Sequence, residues 1–102
     1  MIKLECKRVR FFSELDELEF TDRIKKIRCI GSFEGISDSI FLKIKCRNIS
    51  DLCLRELISL FYRYKINMTQ LADFLNEKNK SWFLNEKAFW YNKTFKNKAI
   101  DK

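Results

Sequence analysis

The sequence predicts an α+β fold: a small three-stranded, at least partly antiparallel sheet, with a helix after strand 1 and a helical C-terminal half. Three observations carry this. Apolar and polar residues alternate at 2–6 and again at 40–47, the period of half-buried strands. Between them, a stretch near 14–27 runs from acids to bases behind a serine, the order that suits a helix dipole at both ends. From residue 50 onward, large apolar residues recur at helical spacing. At 102 residues, the chain is read as a single domain spanning 1–102. Its 46% hydrophobic and 15% aromatic content supplies a core without staples.

The elements follow in order. Ile2, Leu4 and Cys6 lie on one side of the first strand, and Lys3 and Glu5 on the other. The parity shifts at Arg8, which marks either a bulge or the end of the strand and the start of a short second piece. Ser13 opens S-E-L-D, where Ser13 caps a helix and Asp16 completes a short capping box. Leu15, Leu18, Phe20, Ile24 and Ile27 form its inward stripe. A hairpin follows: a strand through Cys29, Gly31 and Phe33, a turn over 35–39, and a strand with Ile40, Leu42, Ile44 and Cys46 inward. Phe41, Lys43, Lys45 and Arg47 give that hairpin a wet, basic face.

Ser50 and Asp51 begin the clearest helix, about 51–65, with Leu52, Leu57, Ile58, Leu60, Phe61 and Tyr64 inward. After a break at Ile66 and Asn67, a shorter helix runs from Met68 to Leu75, with Leu71, Phe74 and Leu75 inward. A polar turn over 76–81 precedes Trp82 and Phe83, which return to the core. A last helical piece near 86–95 carries Phe89, Trp90, Tyr91 and Phe95, before a frayed tail at 96–102.

Composition narrows the chemistry. There is no histidine, the usual proton carrier near neutral pH and the commonest metal ligand. The two glycines, Gly31 and Gly35, form no phosphate-cradling loop. No S-x-x-K, G-x-S-x-G or P-loop pattern occurs. Cys6, Cys29, Cys46 and Cys53 are separated by 23, 17 and 7 positions, which matches no zinc site. They are read as reduced and mostly buried small hydrophobes. These absences point to a protein that works by binding, without catalytic residues, cofactor or metal. The first twelve residues scatter charge and hold no apolar h-region. No apolar run is long enough to span a membrane. A cytoplasmic location with no membrane partner is therefore expected.

The net charge is +7, and lysine outnumbers arginine 14 to 7. A basic chain invites nucleic acid, and Thr69-Gln70-Leu71-Ala72 followed by Leu75 resembles the first helix of a helix-turn-helix near 68–90. The second helix would be dominated by Trp82, Phe83 and Leu84, residues that prefer burial to a DNA groove. A small basic DNA- or RNA-binding regulator is therefore the alternative reading. The opposite sign gathers at Glu14, Asp16, Glu17, Glu19 and Asp22, a candidate docking patch for a basic partner. Tyr62 and Arg63 join the candidate binding residues, since they fall opposite Leu57, Leu60 and Phe61 on their helix.

The run from Leu54 to Ile66, then Met68, Gln70-Leu71, Phe74-Leu75-Asn76, Asn79, Trp82-Phe83 and Phe89-Trp90-Tyr91, resembles small bacterial immunity proteins of toxin–immunity loci. Contact-dependent growth inhibition is among the systems so organised. The resemblance covers roughly 50–95 clearly and the first half in outline. It implies an intracellular inhibitor that binds a cognate toxin domain, such as a nuclease, and blocks its active or substrate site. Inhibitors of nuclease toxins often present acidic faces, and here the run Glu14–Asp22 would supply one.

Overall fold

The computed structural model describes residues 2–96. The sequence-predicted frayed tail lies, apart from Lys96, outside the described residues. The fold is α+β, and the chain forms two compact units, one up to Ile49 and one from Ser50.

The first unit is a β-α-β-β arrangement: β1 (Ile2–Lys7), α1 (Glu14–Lys26), β2 (Ile30–Ile36) and β3 (Ser39–Ile44). Strand order is β1-β3-β2, and both β1 and β2 pair antiparallel to the central β3. β1 and β2 are therefore parallel to each other on opposite edges, and α1 is the crossover between them. Register places Leu4 opposite Leu42 and Ile2 opposite Ile44. Leu4, Cys6, Leu42 and Ile44 are buried, together with Phe20, Ile24 and Ile27 from α1 and its cap. Phe11 packs edge-on to Phe20, with ring centroids 5.3 Å apart.

The first strand ends at Lys7, and Arg8 turns with φ 53°. Its N–H donates to the Asp38 carbonyl at 2.8 Å, and its Nε pairs with the Asp38 carboxylate at 2.9 Å. The guanidinium holds that carboxyl below its ordinary value. The bulge lies instead on β2, where the register with β3 shifts between Ile30 and Ser32. The hairpin turn is shorter than 35–39: only Ser37 and Asp38 separate the strands, and Gly35 pairs with Ile40 inside the ladder. Ser37 takes the positive φ, 59°, that a two-residue turn requires. β3 stops at Ile44, which leaves Cys46 exposed rather than inward. The sheet's other face is mixed rather than basic. Lys3 and Lys43 pair across it, Lys3 lies over the Phe41 ring at 5.4 Å, and Glu5 and Glu34 flank Phe41.

The second unit holds α2 (Asp51–Arg63), a 3-10 helix (Met68–Phe74), the short α3 (Lys80–Phe83) and a π-turn (Asn92–Lys96). Ser50 caps α2 by accepting the Cys53 N–H. Leu54, Leu57, Ile58, Leu60 and Phe61 are buried, whereas Leu52, expected inward, is 70% exposed. At 3.6 residues per turn it falls opposite the stripe formed by the others. The segment predicted as a second helix is 3-10 instead. Met68, Leu71 and Phe74 recur at a spacing of three and share its one buried face, where three residues per turn stack them in line. Leu75 lies just past its end, half-buried.

The predicted helix near 86–95 is a run of turns ending in the π-turn. Asn85 Oδ1 accepts the Lys87 N–H, a local bond that competes with helix. The Ala88 and Tyr91 N–H groups each bond three residues back. Phe83 is buried, Trp82 and Trp90 are half-buried, and Phe89 is 56% exposed. The helix-turn-helix reading fails on length. Its two members are a seven-residue 3-10 helix and a four-residue α-helix, too short for a groove-reading helix. Among the described residues, no helix is long and apolar enough to cross a membrane.

All four cysteines are free: Cys6 and Cys29 buried, Cys53 half-buried, Cys46 exposed. Burial pushes the Cys6 thiol up to about 12. The folded state holds that proton more tightly than the unfolded chain. This contribution to stability is therefore complete below the ordinary thiol value and is lost as pH rises toward about 12. Alkylation of the native protein near pH 8 is expected to label Cys46 first and Cys6 only on denaturation. Rapid native labelling of Cys6, followed by peptide mass spectrometry, would contradict its burial.

Candidate functional site

The acidic run Glu14–Asp22 lies on α1. Ser13 starts the helix by accepting the Asp16 N–H at 3.2 Å. The Asp16 carboxylate reaches back to the Phe12 N–H at 2.9 Å, one residue earlier than a full capping box would place it. Asp16 is thus engaged in the cap, and with Glu14 and Glu17 it opposes the positive end of the helix dipole. Glu19 and Asp22 lie beyond the first turn, where the dipole gives little reason for them. Glu14, Glu17, Glu19 and Asp22 are exposed, and none of them forms an ion pair among the described residues.

The apolar residues of α1 divide between two faces. Phe20, Ile24 and Ile27 follow one another at i, i+4 and i+7 and are buried. Leu15 and Leu18, expected in the same stripe, fall on the opposite side and are 68% and 59% exposed. Asp22 continues their line at i+7, and Glu14 and Glu19 flank it. Phe12, just before the cap, is 80% exposed. Single exposed apolar side chains are ordinary, but three within seven residues, set among carboxylates that form no ion pair among the described residues, make this face the candidate contact surface of the first unit.

Tyr62 and Arg63 belong to the second unit, in the last turn of α2, and both are exposed. The Tyr62 ring meets Phe89 edge-on at 4.7 Å. The candidate residues therefore form two groups on separate units. Phe12, Leu15 and Leu18 were absent from the sequence-derived group. Measuring every apolar position from Phe20, Ile24 and Ile27 would have separated the two leucines. Among the described residues, no group of three or more Cys, Asp or Glu side chains is placed to hold a metal ion. Comparison with protein-family models, with curated proteins and with solved structures finds no match to this chain.

Proposed function

We propose that this chain is a non-catalytic, cytoplasmic immunity protein that neutralises a cognate bacterial toxin domain, gripping it with the outer face of α1. The observation that carries the reading is the exposed Leu15–Leu18 pair, framed by the unpaired Glu14, Glu19 and Asp22 on the side of the helix away from its buried stripe. Such a face fits a partner with an apolar centre ringed by lysine and arginine, as on a domain that handles phosphate. The carboxylates steer the encounter, and the leucines hold the complex once water is expelled. A fully buried leucine contributes roughly 1.5–3 kcal/mol.

The test first reads the neighbouring reading frames for a secreted toxin, then takes that toxin's terminal domain as the partner and follows association and dissociation separately. Glu17→Lys with Glu19→Lys is expected to slow association about tenfold at low salt, and added salt should shrink the difference. Leu15→Ser with Leu18→Ser should instead speed dissociation. Both pairs should leave the melting temperature nearly unchanged, since exposed substitutions move stability by less than about 0.5 kcal/mol. Unaltered binding by both double variants would remove α1 as the contact. Failure of the wild type to bind or inhibit that domain would overturn the function.

A further inference from the structure

We propose that a cleft at the C-terminal end of α2 binds a nucleotide, with its phosphate between Lys65 and Lys93 and its base against Tyr62. The cleft lies wholly within the second unit and has a volume of about 490 Å³, inside the range of roughly 300–1,000 Å³ typical of small-molecule sites. Phe61, Ile66 and Met68 are buried and supply an apolar lining. The polar lining comes from Tyr62, Lys65, Asn67 and Lys93, and among the described residues no carboxylate lines the cleft.

This polar lining is made of donors. Asn67 Oδ1 is occupied, accepting from the Thr69 N–H at 3.0 Å and the Thr69 hydroxyl at 2.8 Å. The two Nδ2 hydrogens remain unengaged among the described residues. Lys65 and Lys93 are exposed and in no ion pair among the described residues. Two cations and an amide donor favour a phosphate, which carries close to two negative charges near neutral pH, over a single carboxylate. Tyr62 is 44% exposed and meets the 56% exposed Phe89. Exposed aromatic rings beside cations are the arrangement on which bases stack.

The backbone gives an independent reason to single out Lys65. It has φ 58° in the left-handed region. The Ile66 N–H donates to the Phe61 carbonyl at 2.9 Å and the Lys65 N–H to the Tyr62 carbonyl at 3.4 Å. That is the Schellman pattern, and Lys65 stands where glycine is the usual residue. Lysine here carries a backbone cost that glycine would avoid. No ion pair or side-chain hydrogen bond of Lys65 among the described residues offsets it. A ligand anion at the mouth of the cleft would.

The shared chemistry is a phosphate joined to a flat base, whether in a free mononucleotide or in a single strand. The experiment follows the Asn67 side-chain amide by NMR during titration with AMP, UMP, adenosine, inorganic phosphate and a short 5′-phosphorylated oligouridine. AMP and UMP are expected to shift it saturably, with adenosine and inorganic phosphate each weaker by about tenfold or more. Lys93→Ala and Lys65→Gly should each weaken nucleotide binding by about tenfold. Lys65→Gly should at the same time raise the melting temperature, an opposite movement that mere loss of structure cannot give. Tighter binding of the oligouridine assigns the ligand to a strand; equal or weaker binding assigns it to a free nucleotide. The proposal is overturned if no nucleotide shifts the amide, if both variants bind like the wild type, or if inorganic phosphate alone binds as tightly as AMP. It is independent of the α1 interface, and either can fail alone.

Discussion

Asn79→Asp is expected to destabilise the protein by about 3–5 kcal/mol at neutral pH. Asn79 is 3% exposed and ties the turn between the 3-10 helix and α3. Its Nδ2 donates to the Phe74 carbonyl at 2.8 Å, and its Oδ1 accepts the Asn76 N–H at 2.9 Å. Asn76 answers by accepting the N–H groups of Lys78 and Asn79. An aspartate would keep an acceptor for Asn76 but lose the donor to Phe74, setting a buried anion against a carbonyl oxygen. Burial and that oxygen would both raise the introduced carboxyl above its unfolded value. The sign follows. The deficit is greatest at neutral pH and shrinks as pH falls toward the ordinary carboxylate value, where the protonated acid can donate to Phe74. Asn79→Ala strands both backbone groups and should cost roughly 2–4 kcal/mol with no such pH dependence. Denaturant unfolding of both variants at two pH values measures this. A constant gap between aspartate and wild type across pH would show that the Phe74 contact is not what the side chain holds.

What could be read in advance depended on whether a feature was local. Alternation at Ile2, Leu4 and Cys6, and at Leu42 and Ile44, fixes a strand face within a few residues, and these five are buried or half-buried as the pattern requires. The ends of α1 were equally legible, because Ser13 and the order of charges act within one turn. Its faces were not. Five apolar residues spread over both sides, and only packing against the rest of the first unit decides that Phe20, Ile24 and Ile27 go inward. Over seven residues, periods of 3.0 and 3.6 differ too little to separate the 3-10 helix from an α-helix. The aromatic run Phe89-Trp90-Tyr91 looked like core and helix together, but Asn85 diverts the backbone into turns first.

The candidate sites divide in the same way. The carboxylates of α1 were visible as composition, whereas the leucines among them were hidden by being apolar. The cleft could not be read at all. It requires Lys93 to come beside Lys65, and a left-handed lysine where the usual signal would be glycine.

The second large effect concerns Trp82, and here the ring and its N–H should separate. Trp82 is half-buried, with its ring 5.6 Å from Phe83, 5.9 Å from Trp90, and the Arg55 guanidinium 4.0 Å from its centroid. Trp82→Ala should therefore cost about 3 kcal/mol, the low end for a large aromatic because the site is not fully closed. That loss would lower the melting temperature by roughly 4–8 °C for each kcal/mol. Trp82 Nε1, however, is buried with no hydrogen-bond partner among the described residues. Trp82→Phe keeps a ring face for Arg55 and removes an unsatisfied donor, so it should fall within about 1 kcal/mol of wild type. Trp90 is the opposite case. Its Nε1 donates to the Phe83 carbonyl at 2.8 Å, pinning the last turns to the end of α3. Trp90→Phe loses that bond and leaves a carbonyl without its donor, at a cost of about 1–3 kcal/mol. The two Trp→Phe variants delete the same atoms from neighbouring rings. If they cost the same, the hydrogen bond from Trp90 contributes nothing beyond packing. If Trp82→Phe is the worse, the indole of Trp82 has a partner in solution that its burial conceals.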